Sequence, residues 1–214
     1  MKLFIIGGRP CSGKTTLAYK LSKKYNIDVN HLDEFTQECI NHATEENQYM
    51  YRWKNSNLIE LLQKEPHVLF YEYVKTYEEM LHSLLKAFDH SKMKVSILEG
   101  SILLPKIIND FKKSHEIRVC YLVTDDDFVK ERYFRRDYVV DMLGEPKGNI
   151  AIRNLLERDS IFSEYINNEI EKYALPKLVI NTDDDIELVF NKLEAILGIE
   201  EQSKKEFLMS DHNF

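Results

Sequence analysis

The chain has 214 residues, 43% of them hydrophobic and 30% charged, with a formal net charge of −7. That length suits one domain, or one domain with a small lobe, and is enough to bury a sizeable core. The acidic balance argues against a general nucleic-acid binder, which usually carries a basic excess, and no apolar run approaches the roughly 18 residues of a membrane span.

The first predicted element is a short β-forming run, Leu3 to Ile6. Directly after it, Gly8-Arg9-Pro10-Cys11-Ser12-Gly13-Lys14-Thr15 fits G-x-x-x-x-G-K-[ST] without a mismatch. Thr15 to Lys24 then follows a helical pattern, with Leu17, Tyr19 and Leu21 among its apolar positions. Strand, loop, helix is the context that gives this motif meaning. The glycines let the backbone wrap a phosphate chain, and the loop N–H groups and the helix N-terminus face the anion. Lys14 adds positive charge for the outer phosphates, and Thr15 offers a hydroxyl to Mg²⁺. A Gly-rich turn with an incidental lysine is the bland alternative, but spacing and flanks agree independently. Gly8, Arg9, Pro10, Cys11, Ser12, Gly13, Lys14, Thr15 and Thr16 are therefore the expected nucleotide-binding residues, with ATP and Mg²⁺ the expected cofactors. Lys14 is also a catalytic candidate.

A second strand is predicted over Asp28 to Leu32, ending in Asp33-Glu34. A carboxylate at Asp33 can accept the proton of an attacking hydroxyl or hold Mg²⁺ through water. It can equally cap the next helix. His31 and Glu34 fall in the same cleft, with His31 read as structural.

From Phe35 to His90 the pattern is helical, interrupted at Pro66, and predicts two or three helices. This stretch carries the single tryptophan, Trp53, and the aromatics Phe70, Tyr71, Tyr73 and Tyr77. Residues 35–91 are expected to form a substrate-side lobe, with most of these rings serving helix packing.

The third strand, Lys94 to Leu98, ends in Glu99-Gly100. An acid there can orient Mg²⁺-bound water, or it can simply be an exposed strand-end acid. Gly100 permits close approach of backbone or ligand. The expected metal-holding residues are Thr15 and Glu99.

The fourth strand is Ile117 to Val123, followed by Phe128 to Asp137 in a helical pattern. There Arg132 meets Arg135 and Arg136 at i+3 and i+4, so three like charges share a face. An anion such as a triphosphate would compensate them, as would Glu131, Asp137 or the acidic run 125–127. Arg132 and Arg136 are accordingly catalytic candidates, and residues 128–158 a lid. Gly144, Pro146 and Gly148 break the helical pattern. Beyond them Arg153 and Arg158 can join from the other side, with Asp159 orienting an arginine. A helix over 150–174 shows an apolar stripe at Ile161, Phe162, Tyr165, Ile166 and Ile170. The fifth strand is Lys177 to Ile180. Residues 1–198 read as one domain and 199–214 as a polar tail.

Strands alternating with helices predict an α/β fold of three layers, a mainly parallel five-stranded sheet with helices on both faces. Ligands of such sheets sit beyond the carboxyl ends of the strands. Cys11, Cys39 and Cys120 are dispersed and read as free thiols in a reducing cytoplasm. No leader segment is expected before the first strand.

With these residues in place the chain resembles the nucleoside and nucleotide kinase group of P-loop phosphotransferases, which includes adenylate, shikimate and gluconate kinases. Gly8 to Thr15 matches the phosphate loop of that group. Asp33 matches the acid that shikimate-type kinases place after the second strand. Leu98-Glu99-Gly100 resembles the Leu-Asp-Gly of adenylate kinases, with Glu for Asp. Arg132 to Arg136 resembles the start of the lid, and Asn181-Thr182 would lie near the adenine. A closer likeness is to bacterial proteins with Gly-Gly-x-Pro-Cys-Ser-Gly-Lys and Glu-Gly-x-x-Leu-Leu-Pro, here Gly7 to Lys14 and Glu99 to Pro105. No Phe-Pro-Arg follows Glu99-Gly100, a departure from the monophosphate site of adenylate kinase.

The expected function is an ATP-dependent phosphotransferase moving the γ-phosphate to a small hydroxyl- or phosphate-bearing acceptor, with no nucleic-acid or membrane partner. A nucleoside monophosphate kinase and a nucleotide switch or sensor are the alternatives. For a GTP switch, Asn191-Lys192-Leu193-Glu194 has Glu in place of the guanine-reading Asp and lies in a helical pattern. Asp141-Met142-Leu143-Gly144 follows no strand.

Overall fold

Alternate residues of the first strand enter opposite cores: Leu3 and Ile5 pack on one side of the sheet, Phe4 and Ile6 on the other. Burial on both faces is what a parallel strand covered by two helical layers demands. The computed structural model describes residues 2–89 and 95–199. Its strands are β1 (Lys2–Gly8), β2 (Val29–His31), β3 (Val95–Glu99), β4 (Glu116–Thr124) and β5 (Lys177–Ile180). They form one sheet of order β2-β3-β1-β4-β5 with every neighbouring pair parallel.

The helices are α1 (Lys14–Tyr25), α2 (Thr36–His42), α3 (Gln48–Lys54), α4 (Leu58–Leu61), α5 (Pro66–Asp89), α6 (Pro105–Phe111), α7 (Asp126–Tyr133), α8 (Asp137–Leu143), α9 (Gly148–Lys172) and α10 (Ile186–Leu197). Leu17 and Leu21 of α1 join Phe190 and Leu193 of α10 against Phe4, Ile6 and Leu122. Met80 and Leu81 of α5 join Phe162 and Ile166 of α9 against Leu3, Ile5 and Leu98. Fully burying each such aliphatic side chain is worth about 1.5–3 kcal/mol relative to exposure. The result is the three-layer α/β sandwich that the alternation of strands and helices predicts.

Four differences from the sequence reading have local causes. Residues 35–89 hold four helices, preceded by a 3-10 turn at Leu32–Phe35 that shortens the second strand. Pro66 does not break a helix but opens α5, where its missing N–H goes unused. The arginines of 132–136 do not share one helix, because α7 stops at Tyr133 and Arg136 is the extended N-cap of α8. Tyr133 and Val139 are both buried in the same core, whereas on one continuous helix they would point about 120° apart. The break between α7 and α8 turns both into it. The acidic run is committed elsewhere: Asp125 caps α7 at Phe128 N, 2.7 Å away, and Asp126 binds Arg9.

Lys94, His90 and the tail beyond Ile199 lie outside the described residues. Among the described residues no helix is long and apolar enough to cross a membrane.

Candidate functional site

The register sets the site. Glu99 lies level with Ile6 on β1 and with His31 on β2, two residues before the phosphate-loop motif begins at Gly8. Beyond that row the chain passes through positive φ at Gly8 (133°), Cys11 (63°) and Gly13 (90°). A loop turned by left-handed residues is the backbone form that gathers N–H groups round an anion. Gly8 is obligatory on a second ground, since a Cβ there would meet the Leu122 carbonyl oxygen at 2.5 Å.

Lys14 is 5% exposed and donates to the Arg9 carbonyl at 2.8 Å and to Ser101 Oγ at 3.1 Å. Burial pushes its ammonium below the usual lysine range, and the carboxylates of Asp33 and Glu99 restore part of the loss. Arg9 is buried with its guanidinium turned to Asp126, which also accepts from Ser160 Oγ at 2.8 Å. Its side chain thus braces the loop against Asp126 of α7, which Ser160 of α9 also holds, with Nε left unpartnered. Ser12 is fully buried behind the loop, with Oγ unpartnered.

Glu99 is 2% exposed, and its two oxygens differ. Oε1 accepts the Thr15 hydroxyl at 2.9 Å and lies 2.7 Å from His31 Nδ1. Oε2 is buried with no partner. An orphaned buried carboxylate oxygen is unfavourable unless something else satisfies it. Because Thr15 spends its proton on Glu99, the lone pairs of its oxygen stay available. One hydroxyl and one carboxylate, with phosphates and waters completing the shell, suit Mg²⁺, which keeps several waters and uses few protein ligands. Among the described residues no group of three or more His, Cys, Asp and Glu can hold a metal alone.

Asp33 sits in the 3-10 turn after β2 and does not cap α2, whose N-cap, Phe35, makes no side-chain bond. Its two oxygens accept the Ser101 N–H at 2.9 and 3.1 Å, tying the end of β2 to the end of β3. Gly100 makes this possible, since a Cβ there would come within 2.9 Å of Asp33 Oδ1.

These groups border a cleft of about 730 Å³ beyond the strand ends. Pro10, Cys11 and Gly13 to Thr16 line its loop side. Asp33, Glu34, Trp53, Leu58, Tyr73 and Tyr77 line the side built by β2 and α3 to α5. Arg132, Arg136 and Tyr138 border it from α7 and α8. Arg132 lies over the Phe128 ring, 3.5 Å from its centre, and donates to the Phe128 carbonyl at 2.8 Å. Arg136 lies beside Cys11 of the loop, whereas Arg135 turns away to Glu131.

Arg158 reaches the cleft from α9, and Asp159 beside it is 0% exposed. Asp159 accepts Nε of Arg158 at 2.8 Å, also its Nη2, and the Tyr133 hydroxyl. Burial works against the Arg158 charge, but Asp159 and its neighbours outweigh it and hold the guanidinium ionised. Arg153 is exposed and outside the cleft, as are Asn181 and Thr182. The sequence reading overlooked Ser101, Tyr133 and Tyr138. The only available signal was the position of Ser101 directly after Glu99-Gly100.

No family model matches the chain, and no curated protein matches it. Solved structures do. A gluconokinase from Sinorhizobium meliloti 1021 aligns over 98% of this chain and 97% of that chain, at 11% identity and a TM-score of 0.53. A shikimate kinase from Acinetobacter baumannii in complex with shikimate covers 92% of this chain and 94% of that one, at 14% identity and 0.53. A deoxyadenosine kinase from M. mycoides with bound dCTP covers 92% and 98%, at 17% identity and 0.50. At these identities the likeness establishes the fold: the chain has the three-layer α/β fold of P-loop kinases.

Proposed function

We propose that this chain is an ATP-dependent phosphotransferase that moves the γ-phosphate of Mg-ATP to a small acceptor carrying a hydroxyl or a phosphate. The observation that carries the reading is Glu99 Oε2, buried and unpartnered beside the Thr15 hydroxyl at the mouth of a phosphate loop. A cleft that continues past the loop to Asp33 and an aromatic wall supplies room for a second substrate.

In this reading the loop backbone from Gly8 to Thr16 and Lys14 Nζ bind the phosphates. Thr15 and Glu99 hold Mg²⁺, which when bound offsets charge on the phosphate oxygens. Asp33, fixed by the Ser101 N–H, takes the proton of the attacking hydroxyl. Arg132 and Arg136 meet developing charge from the 128–158 side, which acts as a lid and excludes water. Residues 35–89 form the acceptor lobe. The free thiols at Cys11, Cys39 and Cys120 suit the cytoplasm.

The test has two arms. Calorimetry with Mg-ATP and a non-hydrolysable analogue reads nucleotide binding. ADP release over a library of hydroxylated metabolites and nucleotides reads transfer. Nucleotide binding with release stimulated by one acceptor supports the proposal. Binding with release that no acceptor stimulates favours a switch or sensor.

A further inference from the structure

We infer that the acceptor taken by this cleft carries no anionic group and is an uncharged hydroxyl compound with a flat or apolar ring face. This rests on the phosphotransfer reading above and narrows it.

The sheet order separates the charges. β2 and β3 lie on one side of β1, and β4 and β5 on the other. Arg132 and Arg136 follow β4, whereas Asp33 and Glu34 follow β2. On the β2 side the wall is Trp53, Leu58, Tyr73 and Tyr77, with both carboxylates at its edge. The bases reaching that side are Arg158 and His31, the latter with Nδ1 held 2.7 Å from Glu99 Oε1. Arg158's charge is matched by Asp159, and its guanidinium lies 3.9 Å from the centre of the Tyr73 ring. Arg52 and Lys64 both pair with Glu72 and do not line the cleft.

A phosphate or carboxylate on the acceptor would therefore face Asp33 and Glu34 with no unmatched cation on its side. Like charges that face one another across a cleft repel, and that repulsion discriminates between partners. The aromatic and aliphatic wall instead favours a ring. Tyr73 and Tyr77 hydrogen-bond to each other through their hydroxyls. Burial pushes both phenols well above the usual range, so they stay neutral and can meet further hydroxyls. A phosphorylated acceptor, as in a nucleoside monophosphate kinase, fits this wall badly.

The test uses matched pairs: each nucleoside against its 5′-monophosphate, and glucose against gluconate. The chain is first saturated with a Mg-bound non-hydrolysable ATP analogue, whose binding is checked by calorimetry. Trp53, the only tryptophan in the chain, lies on the wall and reports its occupancy by fluorescence. The expected result is that an uncharged member half-saturates the signal at a concentration about tenfold or more below its anionic counterpart, the scale of one or two partly screened charge contacts. Glu34→Gln, at an exposed side chain, should narrow that preference several-fold. An anionic member that binds equally or better overturns the inference, and so does silence from every uncharged member. Analogue binding with an anionic preference leaves the phosphotransfer reading standing, whereas failure of the analogue to bind removes that reading itself.

Discussion

Thr15 and Glu99 lie 84 positions apart in the chain, yet the Thr15 hydroxyl donates to Glu99 Oε1 across 2.9 Å. The bond follows from the parallel register that sets Ile6 beside Glu99, since the loop leaving β1 must then fold back over the end of β3. It occupies one carboxylate oxygen and leaves the other buried and unpartnered.

That asymmetry makes Glu99→Gln informative. The amide oxygen can still accept from Thr15, so the fold should hold, but the negative charge is gone. The Mg²⁺ concentration for half-maximal activity at fixed ATP should rise about tenfold or more, the scale of losing one anionic oxygen near a dication. A Mg²⁺ titration of both proteins measures it. An unchanged requirement would make Glu99 a purely structural acid.

Asp33 is held by one N–H, so its role can be separated from its anchorage. Asp33→Asn keeps an acceptor for Ser101 and removes the basic oxygen. It should leave Mg-ATP affinity near wild type while kcat falls about 10²-fold or more. Collapse of ATP affinity with kcat preserved would assign Asp33 to the metal instead. Gly100→Ala should disturb the same bond from the other side, because the added Cβ would come within 2.9 Å of Asp33 Oδ1. Comparing kcat for the two variants shows whether position and charge act together.

Lys14 couples stability to pH with a definite sign. Burial lowers its pKa from 10.5. Between the lowered value and 10.5 the unfolded chain binds more protons than the folded one, so this group's contribution to stability rises as pH climbs through that window. At neutral pH the buried charge works against folding. Lys14→Met should cut phosphoryl transfer by about 10²–10³-fold, the scale of losing one preorganised donor. Urea unfolding without nucleotide should nevertheless show the variant at least as stable as wild type at pH 7, with its advantage shrinking toward pH 10. An advantage that grows with pH would contradict the burial argument.

What was legible in the sequence is what short-range pattern encodes. The five strands appear as β-forming runs, and the phosphate loop is a contiguous motif whose glycines answer to φ at Gly8 and Gly13. Glu99 and Asp33 were found because strand ends in a parallel sheet converge. The arginine face was misread because i, i+3, i+4 spacing presumes an unbroken helix, whereas α7 ends at Tyr133 and α8 begins at Asp137. The Arg158–Asp159–Tyr133 group was only half visible. Asp159 was placed beside an arginine, but its bond to Tyr133 spans 26 positions and depends on how α9 crosses α7. No local pattern encodes that crossing.

The cysteines allow a test without any acceptor. Cys11 is 8% exposed, held at φ 63° inside the phosphate loop and next to Arg136. Cys120 is fully buried in the sheet, and burial pushes its thiol up to about 12. Cys39 is half-buried on α2, and burial also raises its thiol. Thiolate fraction and access together set alkylation rates, so Cys120 should label slowest. Mg-ATP bound in the loop covers Cys11 and leaves Cys39 untouched, because Cys39 does not line the cleft. Saturating Mg-ATP should therefore slow labelling of Cys11 about tenfold or more, as expected when occupancy far exceeds half-saturation, with Cys39 unchanged. Mass spectrometry of each cysteine peptide, with and without Mg-ATP, gives the rates. Equal protection of Cys39 would indicate a global tightening, and a Cys11 rate indifferent to Mg-ATP would place the triphosphate somewhere other than this loop.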